Sequence, residues 1–262
     1  MMLDSITPVI LTYNEEANVG RTLERLTWAK KIIVVDSEST DNTLAIARAY
    51  ASVKIFSRPF DCHANQWQFG ISQTDIDTEW VLALDADYIL TDDLTRELQE
   101  LAPPAEVAGY FARFVYCVDG RPLRATLYPP VAVLFRRERA RYIQDGHTQR
   151  VQLSGRVEKL RHVIYHDDRK SLSHWVAAQD RYARIEADKF FSPSWEPTRW
   201  TESLRRMRVV APFAMLLYTL LIKRLVLDGW PGIFYSLQRT YAELLLSLYL
   251  IRNDLNRARK DQ

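Results

Sequence analysis

The stretch WVLALDADYIL, residues 80–90, places two carboxylates at the end of an apolar run. Trp80, Leu82 and Leu84 are typical of a strand that is buried in a protein core. Asp85 and Asp87 follow at the point where such a strand should end. Because side chains two positions apart on an extended chain point to the same side, the two acids are predicted to share one site.

Two other apolar runs also end in polar residues. ITPVILT, residues 6–12, is followed by YNEE, and KIIVVD, residues 31–36, is followed by SESTDNT. The patterns predict strands at 6–12, 31–36, 52–58 and 80–84, alternating with helices at 15–29, 43–50, 63–73 and 93–101. This alternation predicts an α/β fold with a doubly wound, mostly parallel, Rossmann-like sheet. Ligands bind beyond the carboxyl ends of strands in such sheets, which is where these polar segments fall.

The pattern after residue 104 is mixed. Strands are predicted at 108–118 and 129–137, a hairpin that turns near Gly155 at 150–166, and a helix at 171–191. SPSWEPTRW, residues 192–200, contains two prolines and is predicted to be a linker. We therefore expect one domain over residues 1–191 and a C-terminal helical region over residues 192–262.

Charge is unevenly distributed along the chain. Of its 262 residues, 35 are Lys or Arg and 33 are Asp or Glu, which gives a net charge of +2. Residues 199–262 carry 11 Lys and Arg against 5 Asp and Glu, so they hold +6 and the first 198 residues hold −4. A basic, apolar tail behind an acidic body indicates an anionic membrane surface as a partner, and not nucleic acid.

Cysteine usage and the N-terminus bear on the compartment. Cys62 and Cys117 are too few for a disulfide framework, which favours a reducing environment. The N-terminus has no basic segment followed by a long apolar run, so no signal peptide is predicted. Together these features predict a cytoplasmic protein.

Asp85 and Asp87 are candidate metal ligands. Two close carboxylates raise each other's pKa unless a cation neutralises them. Mg²⁺ takes one or two protein carboxylates and completes its shell with water and substrate phosphates, and Mn²⁺ accepts the same oxygen ligands. The alternative is a solvated loop or a helix cap, since Asp92 and Asp93 follow closely. The apolar strand before the pair favours the metal.

The stretch IIVVDSESTDNT, residues 32–43, suggests nucleotide binding. Asp36 ends the apolar run and could accept hydrogen bonds from a base or a ribose, and Ser39 in the following turn is a further candidate. The alternative is that Ser37, Ser39 and their neighbours cap the next helix. Both interpretations can hold together for different residues.

Several segments of this chain resemble the family 2 glycosyltransferases that have the GT-A fold. TPVILTYNEEANVGRTLERL, IIVVDSESTDNTLAIAR and WVLALDADYIL occur in that family's order and at roughly its spacing. The likeness continues through FRRERARYIQDGHTQRV and DRYARIEADKF to DGWPG, and so covers nearly the whole chain. Within the family, the chain looks like the bacterial branch that includes lipopolysaccharide-core β-glycosyltransferases.

The resemblance implies inverting transfer of a sugar from a nucleotide-sugar donor, with site residues carried over by motif. Asp36 would contact the base, usually uracil, Asp85 would lie near the ribose and the metal, and Asp87 would bind the metal. Trp67 stands where relatives often have Lys, and Tyr88 stands where they often have Glu. The remaining residues expected to line the nucleotide-sugar pocket are Thr12, Tyr13, Asn14, Glu15, Gln66 and Gln68.

The catalytic base is sought in QDGHTQR, residues 144–150. Inversion needs a base to take the proton of the acceptor hydroxyl. Relatives often carry His-Glu near this point, and here the Glu is missing. Asp145 is the first candidate, because a carboxylate base is usual in the family. His147 is the second, as base or metal ligand, and His166 is a more remote candidate.

The apolar tail leaves several membrane arrangements open. VVAPFAMLLYTLLI, residues 209–222, is 14 residues long, whereas a spanning helix needs about 20. Lys223 and Arg224 follow it, as expected for an interfacial or re-entrant helix with cations that reach the headgroups. A buried core helix, a dimer interface and a spanning hairpin are the alternatives. A lipid-linked or cell-envelope glycan acceptor would place the protein on the cytoplasmic face of the inner membrane.

Two other functions compete with sugar transfer. A sugar nucleotidyltransferase can also combine a doubly wound sheet with two acids and a metal, but it usually has a Gly-rich phosphate loop after its first strand. Here that turn reads Asn14-Glu15-Glu16, and the chain has only 8 Gly. A non-catalytic membrane-bound scaffold is the third possibility, and the intact acids argue against it.

Overall fold

The computed structural model describes residues 2–145, 148–191 and 204–260. The chain divides into two compact units. The first contains the residues up to 122 together with 126–170, and the second contains 123–125 and the residues from 171 onward. The division between the units falls at residue 171, whereas the sequence predicted a domain boundary between residues 191 and 192, which stays a prediction.

The first unit is built on one large mixed sheet. Its strands occur in the spatial order β3-β2-β1-β4-β8-β6-β11-β5, with β7 paired to β6, and β9 and β10 form a separate antiparallel pair. The strands are β1 Ile6–Thr12, β2 Ile32–Asp36, β3 Val53–Ser57, β4 Trp80–Asp85, β5 Tyr88–Leu90, β6 Val107–Val118, β7 Arg121–Pro122, β8 Val131–Arg136, β9 Ala140–Asp145, β10 Thr148–Leu153 and β11 Arg156–His166.

Six of the strands described in the large sheet run in the same direction. β3, β2, β1 and β4 form consecutive parallel pairs, and β8 is antiparallel to both β4 and β6. β6 therefore runs with β4, and β11 is parallel to β6. The predicted α/β fold with a mostly parallel sheet is confirmed, and the carboxyl ends of β1, β2, β4 and β11 lie at one edge.

Helices cover both faces of this sheet. They are α1 Val19–Glu24, α2 Thr43–Arg48, α3 His63–Ser72 and α4 Asp92–Glu100. Alternate strand residues separate into two clusters: Leu82 and Leu84 pack with Leu23 of α1, whereas Val81 and Ala83 pack with Trp67 of α3. Burial on both faces explains the nearly continuous apolar runs of the central strands.

α3 approaches the sheet closely because it contains Gly70. A Cβ at that position would lie 3.1 Å from Cγ1 of Val9 and 3.3 Å from Cγ2 of Val35. A side chain there would push α3 away from β1 and β2. The glycine therefore sets the distance between α3 and the strands that carry Thr12 and Asp36.

Two predicted elements are wrong in detail. The helix expected at 15–29 is the six-residue α1, preceded by turns. The hairpin expected at 150–166 does not form, because β10 pairs with β9 while β11 pairs with β6 and β5. Gly155, with φ of +140°, turns the chain from one sheet to the other. Periodicity identified both strands but carried no information about their partners.

The second unit is helical, as expected for the C-terminal region. Its helices are α5 Leu172–Phe190, α6 Val210–Leu217 and α7 Trp230–Lys260, with a π-helical turn at Tyr218–Ile222 and a 3₁₀ turn at Leu225–Asp228. Ala183 and Ala187 of α5 pack against Leu246 and Leu250 of α7. Among the described residues, no helix has the combined length and apolar character needed to cross a membrane.

Candidate active site

Four strands deliver polar side chains to one edge of the sheet. Thr12, Asp36, Asp85 and His166 are the last residues of β1, β2, β4 and β11, which run in the same direction. Three of these ends were predicted from the sequence. The fourth, at His166, emerges only from the pairing of β11, and it completes the edge.

Asp36 ties together the ends of β1 and β2. Its carboxylate is fully buried, and its Oδ1 accepts a hydrogen bond from Oγ1 of Thr12 at 2.9 Å and from Oγ of Ser39 at 2.5 Å. Its Oδ2 accepts from the backbone N–H of Ser39 at 2.8 Å. Asp36 therefore fixes the turn after β2, and Ser39 is held in place by the residue expected to contact the base.

The loops after β1 and β2 are bonded to each other. Asn14 has φ of +52°, a left-handed conformation that Asn adopts more readily than most residues. Its Oδ1 accepts from the backbone N–H of Thr40 at 2.8 Å, and its own N–H donates to Oγ of Ser39 at 2.9 Å. The N–H of Glu15 donates to Oγ1 of Thr43 at 2.7 Å. The two predicted nucleotide segments thus form one structure.

Glu15 is held by a cation that sequence reasoning did not single out. Its carboxylate pairs with the ammonium of Lys170 and accepts from Nδ2 of Asn18 at 2.8 Å. Burial raises the pKa of Glu15 to about 7, although the charge of Lys170 acts to lower it and the charge of Asp87 raises it further. The anionic edge of the sheet therefore has a built-in positive charge.

Asp85 and Asp87 have different electrostatic environments. Burial and the charge of Asp87 raise the pKa of Asp85 to about 6, and the hydroxyl of Tyr88 hydrogen-bonds to this carboxylate. Burial also acts to raise the pKa of Asp87, but the charges of His166 and Lys170 lower it below its ordinary value. The pair therefore holds negative charge chiefly on Asp87.

His166 contacts Asp87 directly inside an aromatic surround. Its Nε2 lies 3.0 Å from Oδ2 of Asp87. The rings of Tyr88, Tyr116 and Tyr128 lie with their centroids 5.3, 5.0 and 4.9 Å from the imidazole centroid. Burial lowers the pKa of His166, but the charges of Asp87 and then Asp85 raise it overall. The histidine is held as a hydrogen-bond partner that favours the ionised form of Asp87.

The residues after His166 connect the end of β11 to α1. Asp167 accepts from Nη1 of Arg21 at 2.6 Å, and Asp168 accepts from Nδ2 of Asn18 at 2.9 Å. Together with Lys170, they brace the segment that follows β1. The residues HDDRK, 166–170, follow an apolar strand in the sequence, but a hairpin at 150–166 would not have placed them beside α1.

Gln66 and Gln68, which were predicted to face the nucleotide-sugar donor, form hydrogen bonds to other groups of the protein. Gln66 is almost fully buried, where its Nε2 donates to Oγ of Ser37 at 2.9 Å and its Oε1 accepts from Nη1 of Arg58 at 2.6 Å. Oε1 of Gln68 accepts from the backbone N–H of Tyr142 at 3.0 Å. These bonds support the turn after Asp36 and anchor β9 to α3. Any contact of either residue with a donor stays a prediction.

Trp67 packs where relatives often carry Lys. Its ring stacks on that of Tyr142, with centroids 5.5 Å apart and an interplanar angle of 14°. Burial raises the pKa of Tyr142, and the charge of Asp85 contributes, so this aromatic pair lies near the acids. Tyr13 differs from the other predicted pocket residues because it is 53% exposed.

The family model described as Glycosyl transferase family 2 matches residues 7–163. The match begins in β1 and ends in β11, so it contains Thr12, Asp36, Asp85 and Asp87. The chain belongs to glycosyl transferase family 2.

Curated glycosyltransferases resemble this family 2 member over different lengths. An uncharacterized glycosyltransferase of Rickettsia bellii (strain RML369-C) is 23% identical over 261 residues, which cover 94% of this chain and 85% of the relative. The lipopolysaccharide core biosynthesis glycosyltransferase LpsC of Rhizobium meliloti (strain 1021) is 33% identical over 110 residues. That match covers 40% of each protein.

Solved structures show a more distant likeness. S. aureus TarS 1–349 in complex with UDP-GlcNAc is 13% identical with a TM-score of 0.44, covering 97% of this chain and 92% of its own. Glucosyl-3-phosphoglycerate synthase from Mycobacterium tuberculosis, in complex with Mn²⁺, UDP-glucose and phosphoglyceric acid, is 15% identical with a TM-score of 0.48. It covers 70% of this chain and 78% of its own.

The two base candidates of this glycosyltransferase lie at the edge of the described ranges. Asp145 ends β9, and its backbone pairs with that of Thr148 in β10. Its side chain and the whole of His147 fall outside the described residues. Their roles therefore stay predictions.

Asp85 and Asp87 suit a divalent cation whose remaining ligands come from the substrate and from water. Oδ1 of Asp87 and Nδ1 of His166 are buried without a hydrogen-bond partner among the described residues, so Asp87 keeps an acceptor available. Within the same ranges, no three or more His, Cys, Asp and Glu side chains are arranged to hold a metal ion by themselves. Two carboxylates without a full protein cage suit Mg²⁺ or Mn²⁺, because phosphates and water supply the remaining ligands.

Proposed function

We propose that this glycosyltransferase moves a sugar, with inversion at the anomeric carbon, from a UDP-sugar donor to a lipid-linked or cell-envelope glycan, and that it depends on Mg²⁺ or Mn²⁺. One observation carries the proposal. In a family 2 chain, the hydrogen-bonded residues Thr12 and Asp36 and the acid Asp85 end parallel strands at the same edge of the sheet, and Asp87 lies in the turn directly after Asp85.

The nucleotide is proposed to bind over the loops that follow β1 and β2. Thr12, Asn14 and Ser39 are held by hydrogen bonds to protein groups, so the loops are formed before a ligand arrives. A preformed pocket loses less conformational entropy on binding. Tyr13 is exposed enough to pack against a base, and Asp36 holds the turn that carries Ser39.

The diphosphate is proposed to bind at Asp85 and Asp87. When bound there, Mg²⁺ or Mn²⁺ would neutralise the two acids and stabilise the charge that develops on the leaving diphosphate. His166 holds Oδ2 of Asp87, so that Oδ1 remains available as a ligand atom. Lys170 adds a fixed positive charge near the same acids.

The transfer itself is a single displacement. The oxygen of an acceptor hydroxyl forms a bond to the anomeric carbon from the face opposite the diphosphate, while the bond from that carbon to the diphosphate oxygen breaks. The base takes the hydroxyl proton, and UDP leaves with the electron pair of the broken bond. Asp145 is the proposed base, with His147 as the second candidate.

The acceptor is proposed to sit at a membrane. The partial match to LpsC supports a lipopolysaccharide-type glycan, and the +6 charge of residues 199–262 supports attachment to anionic lipid. These features favour a peripheral position on the cytoplasmic face of the inner membrane. A soluble donor and a lipid-linked acceptor would meet there.

A donor-hydrolysis assay tests the reaction class. Purified protein with UDP-glucose, UDP-galactose or UDP-GlcNAc should release UDP slowly in the presence of Mn²⁺ or Mg²⁺, and EDTA should stop the release. Release of pyrophosphate from UTP and a sugar phosphate would instead identify a nucleotidyltransferase. The absence of both UDP binding and UDP release for every donor would refute the proposal.

A further inference from the structure

α7 has an inverted distribution of polar and apolar residues. From Trp230 to Leu248, every exposed residue of the helix is a large apolar or aromatic one. We call this set the outer face of α7, and it consists of Trp230, Phe234, Leu237, Tyr241, Leu244 and Leu248. Trp230 is 81% exposed and Leu248 is 56% exposed. The outer face extends over about 27 Å at the usual helical rise.

Three polar residues of the same helix lie on its inner side. Ser236, Glu243 and Ser247 are buried. Glu243 pairs with Arg205, its two oxygens accepting from Nε of Arg205 at 3.2 and 2.9 Å. Oγ of Ser247 donates to the backbone O of Arg208 at 2.6 Å. Helices that meet lipid carry polar groups between helices and apolar groups outside, which is the arrangement seen here.

We propose that the outer face of α7 lies on the surface of an anionic lipid bilayer, with its side chains in the apolar layer below the headgroups. The inner side of α7 packs against α5 through Ala183, Ala187, Leu246 and Leu250, and the outer face is the side that is turned to solvent. This inference deepens the membrane part of the proposed function and rests on it. It also assigns the principal contact to α7, whereas the sequence had pointed to residues 209–222.

The charges around α7 complement anionic headgroups. Residues 204–260 carry ten Lys and Arg against three Asp and Glu. Each of the three acids is paired with an arginine: Asp228 with Arg124, Glu243 with Arg205, and Asp254 with Arg208. The internal pairing leaves an excess of positive charge, which an anionic surface would attract.

A second copy of the chain fits the outer face less well. The spacing of four and three residues resembles a coiled-coil seam, but such seams are flanked by charged residues that set the pairing. Here the positions beside the stripe are occupied by uncharged residues over most of its length: Ile233, Gln238, Thr240 and Leu245. The second unit also exposes apolar residues outside α7, at Phe213, Leu217, Leu221 and Ile222.

The test compares two matched double variants in vesicle flotation. Full-length protein carrying Leu237→Glu and Leu244→Glu should bind vesicles of 70% phosphatidylcholine and 30% phosphatidylglycerol at least tenfold more weakly than wild type. Leu172→Glu with Ile185→Glu, which changes two exposed apolar residues of α5, should leave binding unchanged. Pure phosphatidylcholine should bind wild type more weakly. Equal binding of both double variants and wild type would overturn the inference.

Two further measurements make the outcome decisive. Light scattering without lipid should give the same mass for wild type and the α7 variant; a wild-type dimer that becomes a monomer in the variant would assign the outer face to a second copy and overturn the inference.

If circular dichroism shows that the Glu variant does not fold, a measurement on wild-type protein replaces it. Brominated lipid should quench the tryptophan fluorescence of wild type by a larger fraction than that of Trp230→Phe. Equal quenching of the two proteins would overturn the inference. Donor hydrolysis, measured separately, shows whether the transferase proposal fails independently.

Discussion

Nε2 of His166 lies 3.0 Å from Oδ2 of Asp87, across a sequence separation of 79 residues. The contact joins the end of β11 to the turn that follows β4. It leaves Oδ1 of Asp87 without a partner among the described residues, in a buried position. One oxygen of the carboxylate is thus fixed by the protein while the other is available to a cation.

Replacement of His166 tests this positioning role. We expect His166→Ala to weaken Mn²⁺-dependent UDP binding by about 10- to 100-fold, because loss of a group that orients a metal ligand has that effect. His166→Asn should restore part of the affinity, since its amide can still donate to Asp87. His162→Asn is the matched control, because His162 lies on the same strand as His166 and its Nδ1 is 2.9 Å from Oε2 of Glu97 in α4. Calorimetric titration of UDP at several Mn²⁺ concentrations gives the comparison.

Asp87→Asn should abolish metal-dependent UDP binding and turnover while the protein stays folded. The amide keeps the shape of the side chain and a hydrogen-bond partner for His166, but it removes the negative charge that a divalent cation needs. The thermal midpoint should stay close to that of wild type, because repulsion with Asp85 is also removed. Asp93→Asn, at an exposed residue paired with Arg96, is the control. Unchanged Mn²⁺ dependence in Asp87→Asn would contradict the metal assignment.

Asp36→Asn should affect both folding and nucleotide affinity. Three groups donate to this buried carboxylate, and an amide NH₂ would face at least one of them. A buried donor left without an acceptor costs about 1–3 kcal/mol, so a clear fall in thermal midpoint is expected. UDP affinity should fall as the turn at Ser39 loosens. Asp41→Asn, which alters the same loop away from Asp36, should reduce affinity less.

The base is identified by separating binding from turnover. Asp145→Asn should leave UDP binding near normal and lower the transfer rate by about 10²-fold or more, as expected for loss of a general base. His147→Ala should then have the smaller effect on rate. If the two results are reversed, His147 is the base. Initial rates at saturating donor, with the Kd for UDP measured on the same samples, distinguish the two.

The Lys170–Glu15 pair predicts a specific pH dependence of stability. Burial raises the pKa of Glu15 in the folded state to about 7, from an ordinary value of 4.5. The contribution of Glu15 to stability is therefore lost as the pH rises from 4.5 to 7. Lys170→Met should raise that pKa further and extend the loss above pH 7. The gap in urea midpoint between wild type and variant should therefore widen from pH 6 to pH 8.5. Its free-energy equivalent is at most about 1.4 kcal/mol per pH unit.

A double variant is the control for this prediction. Lys170→Met combined with Glu15→Gln removes the titrating group as well as its partner. The difference in urea midpoint between wild type and the double variant should not widen above pH 7. A gap that persists in the double variant would mean that another group titrates there.

Local sequence determined the central strands and three of the polar strand ends. The strands that end at Asp36 and Asp85 can be predicted from the sequence, because a strand that is buried on both faces needs nearly continuous apolar residues. The turn at Asn14 was also predictable, because polar residues follow the apolar run of β1 there. The family resemblance gave these ends their chemical meaning, and the family match agrees with it.

Only the tertiary structure decided which groups meet at those ends. Strand pairing depends on contacts between residues far apart in the chain, so periodicity could not show that β11 joins β6 and not β10. That pairing brings His166 to Asp87 and Lys170 to Glu15. In the same way, the sequence predicted only that the C-terminal region is helical, and the structure revealed that Trp230 and Leu248 of α7 are exposed while Glu243 is buried. Side-chain direction relative to a core is a property of packing, and sequence spacing alone does not contain it.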